Sequence, residues 1–82
     1  MTKGEVLAKL NEIAQEVFED DELILKENTV ASDVDGWDSL THLQLISEIE
    51  DEFKIKFLMG EIQGFANVGE LVNTIINHVE GN

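Results

Sequence analysis

Residues 36–40 read Gly36-Trp37-Asp38-Ser39-Leu40. They open a segment that runs through Leu43, Leu45, Ile46 and Ile49 to Glu50-Asp51-Glu52-Phe53-Lys54-Ile55. Leu40, Leu43, Ile46, Ile49 and Phe53 recur at steps of three and four. That period predicts a helix from Asp38 or Ser39 to Phe53 that buries these five, with Leu45 flanking the stripe. Serine and aspartate are favoured N-caps, so Asp38 or Ser39 caps the helix. Gly36 frees the backbone to turn sharply ahead of it. The start of a helix carries unbonded N–H groups and a partial positive charge, so a phosphate esterified to Ser39 would be well placed electrostatically.

Towards the N-terminus, Thr2-Lys3-Gly4-Glu5 has the spacing of a capping box. Val6, Leu7, Leu10, Ile13, Ala14, Val17 and Phe18 then trace one helical face, and the acidic run Glu19-Asp20-Asp21-Glu22 is expected to end that helix. Residues 20–37 form a long connection. Leu23, Ile24, Leu25, Val30 and Val34 are too apolar for a free loop, so the connection is expected to pack across the helices. Beyond the central helix, Ile55, Phe57, Leu58 and Met59 suggest an apolar linker, and Glu61 to Phe65 one short helical turn, with Gly60 and Gly64 interrupting the pattern. A last helix begins near Asn67, whose Asn67-Val68-Gly69-Glu70 has cap-like spacing. It buries Val68, Leu71, Val72, Ile75, Ile76 and Val79, and Gly81 is expected beyond its end. The expected architecture is all-α: three main helices plus one short helix in a small bundle, with a long loop between the first and second helices.

The chain of 82 residues carries 18 acidic and 5 basic side chains, a net charge of −13, and no cysteine. Its length fits one domain, residues 1–82. So few cations exclude nucleic acid as a partner, and the charge disfavours anionic membrane surfaces while steering basic partners towards the chain. Without cysteine there is no disulfide and no thiol nucleophile, which fits a reducing compartment. No apolar run reaches the length of a membrane span, and Met1-Thr2-Lys3-Gly4-Glu5 lacks the pattern of a signal peptide. A cytoplasmic monomer is therefore expected.

From Leu23 to about Ile76 the chain resembles the acyl carrier protein family. The resemblance rests on Asp38-Ser39-Leu40 at the start of a helix, on Glu50-Asp51-Glu52-Phe53-Lys54-Ile55 near its end, and on the final Val68-Gly69-Glu70-Leu71 helix. It implies an acyl-carrier-like bundle that is not itself an enzyme. Ser39 would bear a 4′-phosphopantetheine arm, installed by a phosphopantetheinyl transferase from coenzyme A with a divalent metal. Asp38 would help hold the metal–cofactor complex, and Leu40 would anchor the helix start or meet a partner. The arm's thiol would carry the acyl group as a thioester. Acyl-activating, acyltransferase and synthase enzymes with basic patches would dock on Asp35, Glu48, Glu50, Asp51 and Glu52. Leu43, Ile46, Phe57 and Ile62 would shelter an acyl chain, although each also reads as plain core.

Thr41, His42 and Gln44 stand where carriers of fatty acid synthesis are usually acidic, and Trp37 is unlike the housekeeping pattern. Both departures point to a dedicated pathway, fatty acid, polyketide or related. A peptidyl or D-alanyl carrier is the adjacent reading. A hydrolase using Ser39 with His42 would need an oxyanion hole and a water-excluding pocket, for which a bundle this small has little room. His42 instead reads as a solvated helix residue or a polar partner contact, and His78 as a favourable charge near its helix's C-terminus. A calcium loop starting at Asp33 fails, because Trp37, Asp38 and Gln44 occupy positions that need an oxygen ligand, glycine and glutamate. An unmodified acidic interaction module remains, in which Ser39 is only a cap.

Overall fold

The computed structural model describes residues 1–63 and 65–81. Helix α1 spans Lys3–Val17, α2 Ser39–Phe53, α3 Met59–Gln63 and α4 Val68–Gly81, with a 3₁₀ turn at Ala31–Asp33. The described residues contain no strand, as the all-α reading expects. Gly64, read as interrupting the third helical segment, lies outside the described residues.

Helix α1 starts as its sequence predicts. Thr2 Oγ1 accepts the Glu5 N–H at 3.2 Å, and Glu5 Oε1 accepts the Thr2 N–H at 2.9 Å. The helix stops where Glu19 turns left-handed (φ 53°) and its acidic run begins. Val6, Leu10, Ile13 and Ala14 are buried, and α1 packs against both α2 and α4.

The long connection is held from below by polar side chains of α1. Asn11 accepts the Leu25 N–H at 2.6 Å and donates to the carbonyls of Leu25 and Leu7, while Gln15 donates to the Leu23 carbonyl. These bonds satisfy backbone groups that a free loop would give to water. They also hold Leu25 in the core, where Val34 is buried too, whereas Ile24 stays 62% exposed. From its other side the connection meets the start of α4, where the N–H groups of Val68 and Gly69 donate to the carbonyls of Thr29 and Glu27 at 2.8 and 2.7 Å. A side chain on Gly69 would bring its Cβ to 2.9 Å from the Glu27 carbonyl oxygen, so this docking requires glycine.

Helix α2 departs from the expected stripe. Its buried residues are Leu45, Ile46 and Ile49, and Leu45 is fully buried although its spacing suggests a flanking place. Leu40 and Leu43 are 67% and 56% exposed. The physical reason is that α2 carries more apolar residues than one face can bury, and the narrow wedge of Leu45, Ile46 and Ile49 is the part turned to the core. Helix α3 begins at Met59, earlier than the expected turn at Glu61. Its start is tied by the Leu58 N–H, which donates to Glu61 Oε1 at 2.8 Å. Helix α4 is capped by Asn67, whose Oδ1 accepts the Glu70 N–H at 2.9 Å. Gly81 is the last residue of α4 and does not lie beyond its end.

Candidate functional site

Gly36 (φ 85°) makes the turn that delivers the chain to α2. Asp38 is the N-cap, with Oδ1 accepting the Thr41 N–H at 3.0 Å. Thr41 Oγ1 in return accepts the Asp38 N–H at 2.9 Å and donates to the Gly36 carbonyl at 2.7 Å. This reciprocal cap was readable in Asp38-x-x-Thr41, a hydroxyl standing where a capping box usually has Glu or Gln. It settles which residue caps α2. Ser39 is the first helical residue, exposed, with the capping task left to its neighbour.

The Thr41 N–H bond holds the Asp38 carboxyl below the ordinary carboxylate range. A group with a depressed pKa lends stability above its unfolded value and loses it as pH falls through the folded one. The α2 cap should therefore persist to lower pH than free aspartates titrate, then open. An amide titration by NMR would follow it: the Thr41 resonance should move with a midpoint below the ordinary aspartate value. A midpoint at that value would mean the cap does not form in solution.

His42 sits one turn beyond Ser39, half-buried. Trp37 Nε1–H donates to His42 Nδ1 at 3.1 Å, and His42 Nε2 lies 2.8 Å from the Ile62 carbonyl oxygen. An indole N–H can only donate and a carbonyl can only accept, so the ring is neutral with its proton on Nε2. Expected as a solvated or partner-facing residue, His42 instead ties the end of the connection and α3 to α2, because both ring nitrogens find backbone or indole partners at hand. With both engaged, the ring is not poised as a base for Ser39. Trp37 is pinned in the same place by Phe18, at 5.4 Å between ring centroids.

His78, read as a charge at a helix end, reaches α3, with Nε2 2.7 Å from Glu61 Oε1 and its ring edge-on to Phe57. The Leu58 N–H first, and then His78, hold the Glu61 carboxyl below its usual range. The His42–Ile62 and His78–Glu61 contacts join distant positions and Trp37–His42 bridges a loop and a helix, so none leaves a periodic signal in the sequence.

Between α2 and α3 an open pocket of about 510 Å³ is lined by Leu43, Met59, Ile62 and Phe65, with Ser39 and His42 among its walls. Of the four residues read as a shelter, Leu43 and Ile62 line it, whereas Ile46 and Phe57 are buried in the core. Leu40 lies exposed beside Ser39. Of the acidic residues, Asp35, Glu48, Asp51 and Glu52 are exposed, and Glu52 lies 3.9 Å from Lys9 Nζ. Glu50 is half-buried, and its Oε2 accepts the Phe57 N–H at 2.9 Å.

Residues 8–75 match the family model described as a phosphopantetheine attachment site. The chain belongs to the acyl carrier protein family. The carrier is 34% identical over 73 residues to acyl carrier proteins of Clostridium perfringens, including those of strains SM101 and 13, covering 88% of this chain and 95% of the relatives. It is also similar to the solution structure of a holo acyl carrier protein from Geobacter metallireducens. There the identity is 41% and the TM-score 0.86, over 93% of this chain and 87% of that one. The carrier's cofactor is accordingly a covalent 4′-phosphopantetheine. An exposed hydroxyl at a helix start beside an apolar pocket suits such a group, since the helix end favours its phosphate and the pocket can receive its apolar load. No described helix is long and apolar enough to cross a membrane.

Proposed function

We propose that Ser39 bears the arm, and that residues 1–82 act as one carrier domain presenting an acyl group to the enzymes of a dedicated biosynthetic pathway. The observation that carries this is the division of labour at the start of α2: Asp38 does the capping, which leaves the Ser39 hydroxyl exposed beside the pocket. The arm supplies the thiol on which the acyl group rides as a thioester. The chain itself positions one hydroxyl and offers a surface, so the chemistry belongs to its partners: a phosphopantetheinyl transferase, then acyl-activating, acyltransferase and synthase enzymes. A cytoplasmic monomer is part of this reading, supported by the absence of cysteine and the high net charge. Trp37, Thr41, His42 and Gln44 support a dedicated fatty acid, polyketide or related pathway over general fatty acid synthesis.

Intact-protein mass spectrometry after incubation with coenzyme A, Mg²⁺ and a broad-specificity transferase tests it. The expected result is a gain of one phosphopantetheine. A folded protein that gains nothing would be an unmodified interaction module.

Docking is assigned to the acidic side chains of α2 and to Asp35. Long-range charge acts chiefly on the rate of encounter. Glu48→Lys with Asp51→Lys is expected to slow transfer from a basic partner at low salt roughly tenfold or more, with urea unfolding little changed. Transfer at the original rate would remove this face from docking. Glu50→Lys belongs outside that test, because it also takes the acceptor from the Phe57 N–H.

A further inference from the structure

Behind the open pocket lies a second void of about 50 Å³, walled by Ala31, Trp37, Val68 and Leu71. Two side chains line both spaces, His42 and Phe65. Their ring centroids are 6.4 Å apart at an interplanar angle of 59°, and Phe57 braces Phe65 edge-on at 6.0 Å. The His42 ring cannot swing aside without giving up both its hydrogen bonds, one to Trp37 and one to Ile62. Both bonds would be lost together, so an apolar chain end gains little by displacing the ring.

Resting on the assignment of the arm to Ser39, we propose that His42, with Phe65, is the floor of the cargo pocket and sets the depth to which an acyl chain can enter. Longer chains enter only as far as the two rings, and their remainder stays outside. His42 is thus a specificity-determining residue. It touches the cargo end and, through its fixed tautomer, denies it the space in front of Leu71.

The test uses full-length protein loaded from butyryl-, octanoyl- and dodecanoyl-coenzyme A bearing a ¹³C-labelled terminal methyl, with loading checked first by intact mass. In the wild type the butyryl methyl should give nuclear Overhauser contacts to Leu43 and Ile62. At no chain length should the methyl give contacts to Val68 or Leu71. In His42→Ala the two voids join, and the octanoyl methyl should then reach Leu71. Contacts from any wild-type chain to Leu71 or Val68 would overturn the proposal, as would a folded His42→Ala protein with the wild-type pattern. Should His42→Ala not fold, the wild-type contacts decide alone. Failure to gain mass would instead strike the carrier reading of Ser39, so the two failures are distinguishable.

Discussion

Ser39→Ala is expected to abolish loading completely while leaving the fold almost untouched. The first effect is all-or-none, because the substitution removes the oxygen through which the arm would be esterified and no neighbouring hydroxyl occupies its place. Thr41, the next hydroxyl along, is committed to the Asp38 N–H and the Gly36 carbonyl. The second effect follows from the cap. Had Ser39 been the N-cap, its loss would lower helix stability, but the capping oxygen belongs to Asp38. Alanine at the first helical position is also a good helix former. Mass spectrometry and urea unfolding of the same preparation check both halves. A loaded Ser39→Ala protein would move the arm elsewhere. A marked fall in its unfolding midpoint would mean Ser39 has a structural role that its exposed position does not suggest.

Leu45→Ala is expected to destabilise the carrier by about 2–5 kcal/mol, the range for deleting a fully buried leucine side chain. Leu45 is completely buried between α2 and the rest of the core. A chain of 82 residues holds only ~4–12 kcal/mol in all, at about 0.05–0.15 kcal/mol per residue. The substitution would therefore remove a large share of the stability, and a preparation near the low end would not stay folded at growth temperatures. Leu40→Ala is the matched control. Leu40 is 67% exposed, so its change should stay within about 0.5 kcal/mol. Urea titrations of the two variants compare them directly. Equal losses would mean that Leu40 is covered in solution. A harmless Leu45→Ala would mean that the face of α2 turned to the core is the one its spacing suggested.

That pair of leucines marks the limit of sequence reading in this carrier. Periodicity identified α2 and its ends to within a residue, because hydrogen bonds between neighbours decide where a helix starts. It did not identify which arc of a helix with several leucines would be buried. Leu40 and Leu43 are spaced as regularly as Leu45, Ile46 and Ile49, and only the packing of α2 on the rest of the bundle distinguishes them. The same boundary runs through the site. Asp38-Ser39-Leu40 pointed to the arm, and the Thr2–Glu5 and Asn67–Glu70 spacings to helix starts. The Trp37–His42–Ile62 chain, the Glu50 bond to Phe57 and the His78–Glu61 pair carried no such mark.

By itself, the sequence determined the number and order of the main helices, their capped starts, the acidic character of the surface and the serine at the head of α2. Those features depend on groups within about four residues of one another, or on composition alone. Asp38 and Ser39 were both eligible as the cap of α2, a local matter decided by the Asp38–Thr41 bonds. Only the tertiary structure buried Leu45 in preference to Leu40, required a glycine at position 69, and set His42 with Phe65 as the wall between two voids. Each of these depends on which distant surface arrives opposite a residue. A side chain's chemistry restricts the partners it can accept, and packing chooses among them.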